Sequence, residues 1–174
     1  DTVGIKETKI ELWRNMMLAY QRYLYPAEDS GFTNIWINTT GLEDGRYLVV
    51  IYCIDNAGHA RYDNFTIVVD NSPPVVEVLT PKMEQTLGGE ILFRINASDL
   101  TGVKKVWIRI DGGEWKELHA KDGEYRYRWS TDVADNGEHT VEFKAKDMLG
   151  QEEVYGSVSY THLRAHETRH DLVC

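Results

Sequence analysis

The residues able to do chemistry fall into four sets. His166, Glu167 and His170 stand in H-E-x-x-H spacing, with His162 four residues earlier. On a helix that spacing puts two imidazoles on one face, where they could hold zinc while the glutamate acts as base. Asp70, Asn71, Asp99 and Asp147 occupy turn positions, and clustered oxygen donors of this kind suit calcium. Trp107 and Trp115 fall in the outward register of a predicted hairpin, where an exposed aromatic pair would offer a sugar ring a stacking surface. Asn38, Asn64 and Asn96 each open an Asn-x-Ser/Thr sequon, the acceptor signal for glycosylation in a secreted chain. No G-x-S-x-G, C-x-x-C or phosphate-cradling glycine loop occurs. The acidic neighbours Glu28-Asp29, Glu43-Asp44 and Glu152-Glu153 point to opposite faces of a strand or into solvent, so they do not converge. No residue is assigned a catalytic role.

The histidine set loses its meaning on closer reading. Val158 to Thr168, "VSYTHLRAHET", followed by "DLVC" at Asp171 to Cys174, resembles a translated sequencing adapter of the transposon-end type. The resemblance implies that residues 158–174 are a non-native tail standing outside the fold, and no metal is expected from their histidines. One cysteine, Cys53, is then left, which excludes a disulfide and predicts a small buried thiol.

The elements that would position these residues are revealed by an internal echo. "LEDGRYLVVIYCIDNAG" (Leu42 to Gly58) returns as "ADNGEHTVEFKAKDMLG" (Ala134 to Gly150). Each copy starts at an Asp/Asn-Gly turn (Asp44-Gly45, Asn136-Gly137), alternates along a strand and stops at Asp-x-x-Gly. Period-2 alternation places Val49, Ile51 and Cys53 on one face and Val141, Phe143 and Ala145 on the matching one. The offset between copies is 98 at Asp1 and Asp99, 93 at Trp36 and Trp129, and 92 at Gly45 and Gly137. Six extra residues therefore lie in the first copy between Lys6 and Gly45, where loops tolerate insertion. Tyr47, just inside its strand, has the position of a tyrosine corner, and His139 is its counterpart.

Strands are predicted over Ile5 to Trp13, Asn15 to Tyr25, Thr33 to Asn38, Arg46 to Ile54 and Tyr62 to Val69. Asn15 to Tyr25 contains Met, Leu, Ala and Gln, which favour helix, but its place in the repeat asks for a hairpin strand. Pro26 to Gly31 reads as a loop. Asp70 to Pro74 marks the boundary, because consecutive prolines cannot donate ladder hydrogen bonds. Val75 to Leu79, Glu90 to Ala97, Val103 to Ile110, Trp115 to His119, Glu124 to Trp129, Glu138 to Lys146 and Glu152 to Ser157 follow, with Pro81 to Gly89 as a loop. Ile91, Phe93 and Ile95 are expected to face inward, as are Val106, Ile108 and Ile110.

The segments "DNSPPVVEVLTP", "INASDLTGVKKVWIRIDGGEWKEL", "YRWST" and "NGEHTVEFKAKDMLG" together resemble the prokaryotic Ig-like repeats of surface and secreted proteins. The resemblance implies an all-β chain of tandem immunoglobulin-like β-sandwiches. Residues 1–70 are read as a partial module lacking its first two strands, and residues 71–157 as a complete one. The net charge of -9 opposes nucleic acid and anionic membrane as partners, and no apolar run approaches the roughly 20 residues of a membrane helix. A non-catalytic structural or adhesive spacer of a larger extracellular or cell-surface protein is the expected function. Its expected partners are neighbouring Ig-like modules of the same chain and a surface protein or polysaccharide, with no cofactor other than calcium considered. The alternative is an accessory carbohydrate-binding module of a secreted hydrolase, with Trp107 and Trp115 as its platform.

Overall fold

The computed structural model describes residues 4–24, 34–82, 86–131 and 137–162. These residues form strands, turns and irregular segments, with no helix among them. The chain divides into two compact units, Asp1–Ser72 and Pro73–Cys174.

The first unit contains β1 (Ile5–Arg14), β2 (Met17–Leu24), β3 (Gly45–Asp55) and β4 (Ala60–Val69), in one antiparallel sheet of order β2-β1-β3-β4. The helix-favouring stretch after Arg14 is strand, because pairing from Thr8↔Leu24 to Arg14↔Met17 gives its backbone a ladder. Tertiary pairing here outweighs a propensity of a few tenths of a kcal/mol per residue, roughly. Asn15 and Met16 make the tight turn at φ 51° and 65°. Alternation then sends Ile10, Leu12, Tyr47 and Val49 into a buried cluster with Val69, and Ile35, Ile37, Leu42 and Ile51 pack on it.

The second unit is a two-sheet sandwich. One sheet has the order β10-β11-β7-β5 and the other β6-β13-β12-β8-β9. Their ranges are β5 (Val75–Thr80), β6 (Thr86–Leu87), β7 (Glu90–Ser98), β8 (Val103–Ile110), β9 (Lys116–Leu118), β10 (Ala120–Lys121), β11 (Glu124–Ser130), β12 (Gly137–Asp147) and β13 (Glu152–His162). Ile91, Phe93 and Ile95 of β7 meet Val106 and Ile108 of β8 and Val141, Phe143 and Ala145 of β12, all buried. Phe93 stands edge-on to Phe143 at 6.2 Å and to Tyr160 at 5.6 Å between ring centres. Two sheets, antiparallel but for the β6-β13 pair, closed over alternating inward residues, with this strand order, make an immunoglobulin-like sandwich. The first unit's sheet reproduces the order β9-β8-β12-β13, which is the repeat seen in the sequence.

Three expectations need correction. Asn34 to Asn38 is not a strand. Its counterpart β11 is held by pairing with β7, and no equivalent of β7 occurs among the described residues of the first unit, so the ladder has no partner while Ile35 and Ile37 still pack inward. The Pro81 to Gly89 stretch includes β6, which pairs in parallel with Thr161 and His162. The two units divide between Ser72 and Pro73, inside the Asp70 to Pro74 segment. The Asn71 side chain donates to the Thr39 and Leu42 carbonyls at 3.0 and 2.9 Å, which ties it to the first unit.

The third is the end of the last strand. β13 does not stop at Ser157 but runs to His162, pairing with β12 from Gly137↔His162 to Lys146↔Glu152. Tyr160 is buried beside Phe93, its hydroxyl donates to the Pro81 carbonyl at 3.2 Å, and burial pushes that phenol up to about 12. A run of Val, Ser, Tyr and Thr beside an open strand edge extends the ladder through backbone hydrogen bonds whatever its origin. His166, Glu167 and His170 lie outside the described residues, as do Asn136 and the loop from Pro26 to Gly31.

Candidate functional site

The Asp-x-x-Gly turns of the two units are built alike. Asp55 closes β3 with its N–H on the His59 carbonyl at 3.0 Å, and Asp147 closes β12 with its N–H on the Gln151 carbonyl at 3.0 Å. Asn56 N–H donates to the Gly4 carbonyl and Met148 N–H to the Gly102 carbonyl, each at 3.1 Å. Gly58 and Gly150 adopt φ of 89° and 98°, a region that penalises any residue with a Cβ. This explains why glycine recurs at the fourth turn position in each copy.

Of the oxygen donors named from the sequence, the structure brings Asp99 and Asp147 together, with carboxylate oxygens within 4.8 Å of each other. Asp99 Oδ1 accepts the Thr101 N–H, the Thr101 hydroxyl and the Gly102 N–H at 2.8 to 2.9 Å. Asp70 and Asn71 belong to the first unit. Asp70 is buried at the end of β4, and Asn71 N–H donates to Asp44 Oδ1 at 2.6 Å. The Ser72 hydroxyl, at 2.5 Å, and that N–H together hold the Asp44 carboxyl below its ordinary range.

The counterparts Tyr47 and His139 both serve structure, in different ways. The Tyr47 hydroxyl donates to the Glu43 carbonyl at 2.8 Å, the backward reach that defines a tyrosine corner. His139 meets Asp111 Oδ2 at 2.7 Å and stands edge-on to Trp129 at 5.0 Å. Tyr47 is 2 % exposed, so Tyr47→Phe removes the hydrogen bond that a buried hydroxyl gives the Glu43 carbonyl and is expected to lower stability by about 1 kcal/mol. A guanidinium melt that leaves the midpoint unchanged would show that water satisfies Glu43 instead.

Trp107 and Trp115 are partly buried on the outer side of the β8-β9 edge, but cations lie over their rings. Lys144 Nζ sits 4.7 Å from the Trp107 ring centre and 5.0 Å from that of Trp115. Lys105 approaches Trp107 at 5.8 Å and Arg109 stacks over Trp115 at 4.5 Å. Arg109 is fixed in turn by a bidentate pair with Glu142 at 2.5 and 2.8 Å, and those hydrogen bonds keep the Glu142 carboxyl low. The aromatic faces are thus occupied by side chains of the same sheet. Tyr125, Tyr127 and Trp129, which alternate along β11, pack against the core. Asn38, Asn64 and Asn96 are all exposed. Cys53 is half-buried rather than buried, with its sulfur 3.5 Å from Thr8 Oγ1.

The sequence reading missed the residue at the fourth place after each turn aspartate. His59 occupies it in the first copy and Gln151 in the second, a difference visible at the offset of 92.

No curated protein matches the chain. The endo-β-1,4-mannanase of Thermotoga petrophila is similar in structure at 16% identity and TM-score 0.47, over 55% of this chain and 21% of that one. The chain thus spans about a fifth of that enzyme's length. The fibronectin(III)-like modules of Clostridium thermocellum CbhA match at 16% identity and TM-score 0.45, over 98% of this chain and 86% of theirs. Dimeric latent PorU of Porphyromonas gingivalis matches at 11% identity and TM-score 0.46, over 94% and 20%. Residues 74–142, which span most of the sandwich of the second unit, match the family model described as bacterial Ig domain, so that unit is similar to a bacterial Ig-like module.

Proposed function

We propose that this chain is a non-catalytic spacer section of a larger extracellular or cell-surface protein. The carrying observation is that its chemically capable side chains are spent on structure, twice, in the same places. Tyr47 and His139 tie strands to neighbouring segments, Asp55 and Asp147 cap matching turns, and the tryptophans lie under lysine and arginine. A module repeated on one strand plan, with no convergent nucleophile, acid and base among the described residues, is suited to setting distance and presenting neighbours. The match of residues 74–142 to the bacterial Ig domain model supports the same reading.

The accessory carbohydrate-binding alternative needs a free aromatic face. The Lys144, Lys105 and Arg109 positions argue against one at Trp107 and Trp115. Affinity electrophoresis of the full chain through gels containing soluble polysaccharides separates the two readings. The spacer reading expects no retardation, and no change with Trp107→Ala. Retardation that Trp107→Ala abolishes would replace it with the accessory-module reading.

A further inference from the structure

The two matching turns differ at one oxygen atom. In the first unit both carboxylate oxygens of Asp55 meet His59. Oδ1 accepts the His59 N–H at 2.8 Å and Oδ2 meets His59 Nδ1 at 3.0 Å. Those contacts, the backbone one foremost, hold the Asp55 carboxyl below its usual range. In the second unit Gln151 takes the place of His59. Its N–H still serves Asp147 Oδ1 at 2.8 Å, joined there by the Gly150 N–H at 2.6 Å. Asp147 Oδ2, on a side chain with 0% exposure, accepts no hydrogen bond from the described residues.

A buried carboxylate oxygen with no donor is costly, and the geometry around this one raises the cost further. A carboxylate oxygen of Asp99 converges to within 4.8 Å, so a second negative charge lies beside the first. Neither group can swing away. Asp99 is pinned by three hydrogen bonds at its own turn, and the Met148 N–H on the Gly102 carbonyl laces that turn to the one opened by Asp147. Lys146, the nearest cation along the strand, reaches Glu152 at 3.5 Å. Two rigid carboxylates facing each other, one of them dry, require a positive charge that can take oxygen ligands.

We propose that Asp99 and Asp147 hold a calcium ion at this end of the second unit. The donors are hard oxygens without imidazole or thiolate, which selects against zinc and copper. Calcium accepts irregular oxygen sets completed by carbonyls and water, whereas magnesium demands near-ideal octahedral geometry. The first unit dispenses with the ion because the His59 imidazole occupies the corresponding position. This assignment stands independently of the spacer reading.

The test uses the full chain, stripped with EDTA and then titrated with calcium chloride. Binding with Kd of about 10⁻⁴ to 10⁻³ M is expected by calorimetry, the range of extracellular modules. At about 10 mM calcium the melting temperature should rise by about 5–15 °C. Asp147→Asn keeps the Oδ1 acceptor for Gly150 and Gln151, removes the charge, and should abolish both effects. Asp99→Asn should do the same and serves if the first variant fails to fold. Gln151→His installs the side chain that the first unit uses, and should remove the calcium response while the fold is retained. Wild-type melting unmoved by calcium would overturn the site. So would a calcium response that survives in Asp147→Asn and Asp99→Asn, since the ion would then lie elsewhere.

Discussion

Phe143→Ala is expected to destabilise the second unit by about 3–5 kcal/mol, the cost of emptying a core aromatic. Phe143 has 0% exposure, sits at the middle of β12 and stands edge-on to Phe93, which itself meets Trp129 at 6.5 Å and Tyr160 at 5.6 Å. Removing the ring leaves a cavity between the two sheets that neighbours cannot fill without breaking strand register, because backbone pairing on both sides of β12 fixes their positions. A domain stability of about 5–15 kcal/mol makes this a loss of a third or more. Guanidinium unfolding followed by tryptophan emission should show the midpoint fall with the slope preserved. The exposed neighbour Thr140, changed to Ala, should move it by less than about 0.5 kcal/mol. Equal effects from the two substitutions would mean that the alternation along β12 does not define the core.

Leu12→Ala should cost the first unit about 2–5 kcal/mol. Leu12 has 0% exposure and lies mid-strand on β1, which pairs with both β2 and β3. Its cluster holds five buried apolar side chains among the described residues, against ten in the second unit. The same truncation therefore removes a larger share of the buried apolar surface, and less remains to close around the void. Amide hydrogen exchange along β1 and β3 reports this directly. The expected outcome is protection lost across both strands, with β12 and β8 unaffected. Protection retained on β3 would show that Ile35, Ile37 and Leu42 cover the sheet without help from Leu12.

The alternation of Val141, Phe143 and Ala145, and of Ile91, Phe93 and Ile95, was readable because a half-buried strand must repeat every second residue. The Asp-x-x-Gly turns were readable because left-handed backbone admits glycine and few others. Element ends were less legible. Asn34 to Asn38 carries strand residues but has no strand partner among the described residues, and Val158 to His162 has one despite its adapter-like sequence, because pairing depends on the neighbour available. Helix propensity in "NMMLAYQRYLY" pointed away from the observed strand for the same reason.

For function, the amino-acid sequence by itself determined the all-β class, the internal repeat and the absence of a familiar catalytic motif outside the adapter-like tail. These follow from local rules of periodicity and turn chemistry. Only the tertiary structure decided which polar groups meet. Lys144 and Arg109 come to cover the tryptophans by strand pairing across β8, β9 and β12. Asp99 and Asp147, 48 positions apart in the chain, converge because two turns at one end of the sandwich are laced together. Through-space charge and hydrogen bonding depend on distances that sequence spacing does not encode, so Oδ2 of Asp147 shows its missing partner only once the chain is folded.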